Sequence, residues 1–71
     1  MKILGQRIRE VRKSNGVSQE DLAFEAGLDR SYMGGVERGD RNPSFLKLCA
    51  IAKALGCDVG SLTKDLPKPN A

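Results

Sequence analysis

Histidine is absent from this 71-residue chain, and aromatic residues make up only 4% of it. Histidine is the side chain that most often serves as a general base, and it is a frequent zinc ligand. A glycine-rich phosphate loop is missing as well. A core this small offers no deep pocket in which lysine or tyrosine would become a base. These absences argue against an enzyme, and we expect no catalytic residue, no metal site and no cofactor.

Cysteine and long apolar runs are also scarce. Cys49 and Cys57 are the only cysteines, and they do not form a CxxC pair. Without histidine to complete a ligand set, they are typical of small apolar side chains in a reducing cytoplasm. No apolar run approaches the ~18 residues that cross a bilayer, and the charged N-terminus lacks the apolar segment of a signal peptide. We therefore expect a cytoplasmic protein without a membrane partner.

What the chain does contain suits one small domain with a positive surface. Apolar residues form 39% of it, charged residues form 30%, and the net charge is +3. A chain of this length has room for one domain, which is only marginally stable by itself. The positive charge favours an anionic partner, nucleic acid first, although many small soluble domains carry a similar charge.

Strand patterns are weak, whereas glycines divide the chain into five short segments with helical periodicity. Helices are expected over about 4–15, from Ser18 to Gly27, from Asp29 to Arg38, from Ser44 to Leu55 and after Asp58. On the fourth helix, Phe45, Leu48, Ile51, Ala52 and Leu55 share one apolar face. Residues 1–66 should thus form an all-α domain of five helices, and 67–71 a disordered tail.

The most informative stretch is QEDLAFEAGLDRSYMGGVER, residues 19–38. A short helix, a glycine turn and a second short helix let two helices meet at a steep angle, so that one projects into a groove. At helical spacing, Met33 and Val36 lie on one face of the second of these helices, and Gly34 and Gly35 lie with arginines on the other. Each glycine weakens a helix by about 1 kcal/mol, which close approach to a flat, charged ligand would offset. An ordinary surface helix with a weak middle is the alternative.

The pieces RIREVRKSNGVSQEDLA, AGLDRSYMGGVERG and NPSFLKLCAIAKALG together resemble the helix-turn-helix family of the lambda repressor and Cro proteins. The resemblance covers about residues 4–62 and implies a compact lambda-repressor-like fold whose third helix lies in the major groove. It implies a transcriptional regulator that binds a palindromic operator as a homodimer. Its partners would be double-stranded DNA, a second copy of the chain and RNA polymerase, with no small-molecule ligand.

The run LDRSYMGGVERGDRN is also similar to the controller proteins of restriction–modification systems, which are compact dimers of similar length. The same run occurs with variation in other regulators of the broad family, so both assignments stay open at this point. Antitoxins and other small protein-interaction modules use the same fold and form the alternative function.

The resemblance also assigns residues to the DNA. Contacts with bases are implied for Arg30, Ser31, Tyr32, Gly34, Gly35 and Arg41. Arg30 is placed to bind the edge of a guanine, and at the two glycines the backbone is expected to approach the DNA closely. Contacts with phosphates are implied for Ser18, Gln19, Arg38, Asn42 and Ser44. The N-terminus of the second helix is a phosphate site by itself.

Two structural features complete the prediction. The resemblance implies a buried ion pair between Arg12 and Glu37 that links the first helix to the third, with two solvated surface charges as the alternative. No separate oligomerisation domain is evident, so the dimer surface is expected in the C-terminal part of the domain. Its candidates, each equally suited to core packing, are Phe45, Cys57, Val59, Leu62 and Leu66.

Overall fold

The computed structural model describes residues 2–66. Within them it has five helices: α1 Lys2–Ser14, α2 Gln19–Ala26, α3 Arg30–Arg38, α4 Phe45–Leu55 and α5 Val59–Thr63. Strands are absent from this part of the chain, and the predicted all-α fold of five helices is confirmed. The predicted tail, 67–71, lies outside the described residues. None of the helices within 2–66 has the length and apolar composition needed to cross a membrane.

Local capping explains where the helices begin and end. A short polar side chain accepts a hydrogen bond from a backbone N–H in the first turn of each later helix, and so pairs a donor that the helix leaves open. These residues are Ser18 for α2, Asp29 for α3, Ser44 for α4 and Asp58 for α5. Left-handed glycines end α2, α3 and α4. Consequently only residues 27–29 separate α2 from α3.

The core forms where the inner faces of the five helices meet. Its most deeply buried large side chains are Ile8, Leu22, Met33, Val36, Ile51 and Leu62. The main helix contacts are those of α2 with α4, α1 with α3, and α2 with α3. Since Met33 and Val36 point into the core, the opposite side of α3 faces outward.

One close backbone approach holds α3 against α1. A methyl group built on Gly5 of α1 would lie 2.3 Å from the carbonyl oxygen of Val36 and 2.5 Å from that of Glu37. Only glycine permits helices to cross at that distance, because any side chain would push them apart. Sequence analysis assigned no role to Gly5, since the contact joins residues more than thirty positions apart.

Phe45 is not buried with the other residues of the apolar face of α4. Its side chain is 69% exposed, whereas Leu48, Ile51, Ala52 and Leu55 are buried. Phe45 is the first residue of α4, and it lies at the edge of the core, where few side chains are available to cover it.

Candidate DNA-binding surface

The outward side of α3 begins with two exposed residues, Arg30 and Ser31. The Asp29 carboxylate accepts hydrogen bonds from the Ser31 hydroxyl, from the Ser31 backbone N–H at 3.1 Å and from the Tyr32 backbone N–H at 3.3 Å. These bonds, that of the Ser31 hydroxyl most of all, hold the pKa of Asp29 below its ordinary value. The ionised carboxylate therefore fixes the first turn of α3 and the side chain of Ser31.

Arg30 is close to an acidic side chain on α2. Arg30 Nη1 lies 3.7 Å from the Glu20 carboxylate on α2, and the side chains of Arg30 and Glu20 are 68% and 72% exposed. Exposed pairs of this kind contribute little free energy. The contact therefore leaves the Arg30 guanidinium available to a more strongly charged ligand.

Gly34 and Gly35 are buried, in contrast to the bare backbone that sequence analysis expected. A methyl group built on Gly34 would lie 3.1 Å from Arg38 Nη1 and 3.4 Å from Gln19 Oε1. A methyl group on Gly35 would lie 2.7 Å from Cγ of Arg41. The glycines do lie on the predicted side of α3, but long side chains from α2, from the end of α3 and from the following loop fold over them.

Tyr32 brings two further cations to α3. Lys47 Nζ lies 4.4 Å from the centroid of the Tyr32 ring, and the guanidinium carbon of Arg41 lies 5.9 Å from it. Both distances are within the range of cation–π attraction. Lys47 was not among the predicted site residues, since nothing in its sequence position on α4 indicates a contact with α3.

Beneath this surface, a polar network joins three helices. Glu37 on α3 accepts hydrogen bonds from Arg12 Nε at 2.8 Å and Arg12 Nη2 at 3.0 Å, both from α1. Its Oε1 also accepts one from Gln19 Nε2 at 3.2 Å. The side chains of Arg12 and Glu37 are only 11% and 4% exposed, so the structure places them together as a buried, bidentate pair. Arg12 Nη1 also donates to the carbonyl oxygen of Val17 at 3.0 Å.

The residues expected to bind phosphate lie around α3. Ser18 and Gln19 lie at the N-terminus of α2, Arg38 at the end of α3, and Asn42 and Ser44 between α3 and α4. The Arg38 side chain is 66% exposed and pairs with Asp40 at 2.9 Å. We call the exposed side chains of Arg30, Ser31, Arg38, Arg41 and Lys47, together with Tyr32, the α3 surface. Four of its six members carry positive charge, so it suits an anionic ligand.

The predicted dimer candidates fall into three groups. Leu62 is fully buried in the core of one copy, so its side chain cannot form an interface and that prediction is wrong. Cys57, Val59 and Leu66 are partly buried against the core. Burial, with a smaller effect of the Asp58 charge, raises the pKa of the Cys57 thiol. Phe45 is 69% exposed and its neighbour Leu46, which sequence analysis missed, is 81% exposed.

Comparison with known proteins agrees with this geometry. Residues 8–62 match the helix-turn-helix family. The chain belongs to that family. α2 and α3 are the two helices of its helix-turn-helix unit, and the protein is a DNA-binding transcription regulator of the Cro/C1 type, as its sequence predicts.

Three helix-turn-helix relatives show how far the likeness extends. Control protein C.BamHI of Bacillus amyloliquefaciens is 47% identical over 55 residues, or 76% of this chain and 68% of that protein. The crystal structure of the restriction–modification controller protein C.AhdI from Aeromonas hydrophila superposes with a TM-score of 0.84 at 52% identity, over 86% of this chain and 92% of that one. SinR, a master regulator for biofilm formation crystallised in complex with DNA, superposes with a TM-score of 0.79 at 38% identity, over 83% of this chain and 95% of that one.

Proposed function

We propose that this protein binds a palindromic operator in double-stranded DNA as a homodimer and controls the transcription of restriction–modification genes. It acts by binding alone, without catalysis, and its place of action is the cytoplasm. The observation that carries the proposal is the α3 surface, where exposed cations from α3, the following loop and α4 gather around one short helix of a helix-turn-helix unit. The similarity to control and controller proteins such as C.BamHI and C.AhdI supports the choice of genes.

The start of α3 supplies the contacts with bases. Arg30 donates two hydrogen bonds to the O6 and N7 atoms of a guanine, the pairing that its planar guanidinium favours. Ser31 and Tyr32 contact neighbouring bases, and Arg41 approaches from the loop that follows α3. Gly34 and Gly35 lie too deep for direct contact, so their part is to let other side chains lie close to the helix.

The surrounding residues hold the phosphate backbone. Ser18, Arg38, Asn42 and Ser44 flank α3, and the N-terminus of α2 directs its backbone N–H groups toward an anion. Gln19 donates one amide hydrogen to Glu37 and has a second for a phosphate oxygen, so it braces α3 from the DNA side. Such contacts set the register of the protein, whereas the base contacts set the sequence.

A second copy completes the binding unit. One helix in one groove buries too little surface for tight, specific binding, and two copies related by a two-fold axis bind half-sites about one helical turn apart. Phe45 and Leu46 expose apolar surface at the start of α4. We propose that they form the centre of the dimer interface, with Cys57, Val59 and Leu66, beyond the other end of α4, as further candidates.

Substitutions at Arg30 and Arg41 test the contacts with bases. Arg30→Ala should lower affinity for the preferred duplex about tenfold or more, and much less for a duplex with the guanine replaced, because the lost bonds belong to one base. Arg41→Ala should weaken binding as well. Anisotropy titrations with the two duplexes at fixed salt measure both effects.

Lys64→Ala is the matched control. It removes the same charge next to α5, which packs against α1 and α4, and should leave both affinities nearly unchanged. If Arg30→Ala lowered affinity equally for the two duplexes, Arg30 would contact phosphate only, and its proposed part in sequence recognition would be rejected.

A further inference from the structure

The backbone conformation at Gly35 does not require glycine. It lies inside α3, where glycine is the least favourable residue apart from proline. Its φ is not among the positive values, which within residues 2–66 occur at Gly16, Gly27, Gly39, Gly56 and Asp65. Any residue other than proline could therefore adopt the same backbone, and the reason for glycine must lie in what surrounds it.

What surrounds Gly35 is the base of the Arg41 side chain. A methyl group at Gly35 would lie 2.7 Å from Cγ of Arg41 and 3.6 Å from its Cβ. Cγ is separated from Cα by Cβ alone, so relieving this clash means rotating the whole Arg41 side chain about its Cα–Cβ bond. The Arg41 backbone is itself held in place, because the carbonyl oxygen of Gly35 accepts hydrogen bonds from the N–H groups of Asp40 at 2.8 Å and Arg41 at 3.2 Å.

Gly34, its neighbour, differs in this respect. A methyl group there would approach only Nη1 of Arg38 and Oε1 of Gln19. Arg38 Nη1 is at the far end of a flexible side chain that can turn aside, and the distance of 3.4 Å to Gln19 Oε1 is an ordinary van der Waals contact. The tight steric limit is therefore particular to Gly35 and Arg41.

The path of Arg41 over Gly35 places its guanidinium beside Tyr32, whose ring also attracts Lys47. We propose that Gly35 is a positioning residue for DNA binding. Because Gly35 has no side chain, Cβ and Cγ of Arg41 can lie directly against the helix at this position, which we call the seat. The seat thereby positions the Arg41 guanidinium on the α3 surface. The inference rests on the proposed contact between Arg41 and DNA.

Gly35→Ala tests the seat because it should change stability and binding differently. Alanine favours the helix, whereas displacing the Arg41 side chain costs stability, so the two effects oppose each other and the melting temperature should change by no more than about 4 °C in a domain of this size. DNA affinity should nevertheless fall about tenfold, as far as it falls in Arg41→Ala. Gly60→Ala is the matched control in α5, because a methyl group there meets only Asp58 Oδ1 at 3.5 Å. It should leave DNA affinity unchanged.

The double variant Gly35→Ala/Arg41→Ala separates this mechanism from general damage to α3. Once Arg41 is gone, the added methyl group has nothing to displace, so the double variant should bind DNA as Arg41→Ala does. A further tenfold loss in the double variant, or unchanged affinity in Gly35→Ala alone, would overturn the proposal. If Gly35→Ala unfolds while the double variant folds, the clash is with Arg41 and the seat is supported. If both unfold, the seat is rejected.

A measurement without DNA keeps the two proposals apart. In NMR spectra of the whole chain, the Tyr32 ring should shift the Arg41 side-chain protons, and Gly35→Ala should abolish that shift. If Arg41→Ala binds DNA like the wild type, the DNA contact proposed for Arg41 is rejected. The NMR spectra still show whether Gly35 positions the Arg41 side chain. A ring shift that persists in Gly35→Ala would rule the seat out.

Discussion

The Glu37 carboxylate, inside the molecule, accepts hydrogen bonds from side chains on two other helices, Arg12 on α1 and Gln19 on α2. A buried charge is costly unless it is paired and hydrogen-bonded. Here every buried side-chain polar atom within residues 2–66 has a partner. All of these polar groups are therefore paired, and the network connects α3, for which the DNA contacts are proposed, to α1 and α2.

Glu37→Gln should lower the free energy of unfolding by about 3–5 kcal/mol, because Arg12 would keep its buried charge without a counter-charge. Urea denaturation of the two proteins measures the difference. Asp40→Asn is the matched control, since it removes one carboxylate from the exposed pair with Arg38 and should cost at most about 1 kcal/mol. Equal losses in the two variants would mean that the Arg12–Glu37 pair behaves like a surface pair.

Among the elements, α3 depends on its N-cap. The ionised Asp29 side chain accepts backbone N–H bonds at the positive end of the helix, which pairs donors and suits the helix dipole. Its pKa is lowered, mainly by the Ser31 hydroxyl and then by the Tyr32 N–H. A carboxylate whose pKa is lower in the folded state stabilises the fold above its unfolded pKa, and that contribution disappears as the pH falls through the folded value.

Acidification should therefore affect the wild type more than Asp29→Asn. Asparagine also caps helices well, but it does not titrate. The melting temperatures of the two proteins should keep a constant difference above about pH 5. As the pH falls below the ordinary value of 3.8, the wild type should lose stability relative to the variant. Melting curves between pH 2 and pH 7 measure this, and parallel profiles over the whole range would mean that the Asp29 charge has no part in capping α3.

The sequence predicts the elements well because their limits are local. Ser18, Asp29 and Ser44 cap helices within a few residues of themselves, and a left-handed glycine such as Gly27 ends a helix where it stands. Patterns of a few residues are enough to locate such features.

Contacts between distant residues were harder to predict. The crossing at Gly5, the attraction of Lys47 to Tyr32 and the cover that Arg41 forms over Gly35 all depend on how helices lie against one another. Periodicity gives the side of a helix on which a residue lies, but not what packs on that side. The Arg12–Glu37 pair was expected only because the family resemblance implied it.

At the scale of the whole molecule, positive and apolar features occupy different places. The cations of the α3 surface surround the outer side of one helix, while Phe45 and Leu46 expose apolar side chains at the start of the next. Lys47, the residue that follows Leu46, contacts the Tyr32 ring, so the apolar patch and the α3 surface adjoin each other at α4. A palindromic operator requires a dimer that presents both α3 surfaces to the same DNA.

Selection of bound duplexes from a random pool tests binding, sequence preference and symmetry together. We expect enrichment of sites with two inverted half-sites, about 10 base pairs or a multiple of that spacing apart, each with at least one guanine for Arg30. Binding to the enriched duplexes should weaken steeply as salt rises, because phosphate contacts release counterions. If no sequence were enriched, or if the enriched sites showed no two-fold symmetry, the proposal of a dimeric operator-binding protein would be contradicted.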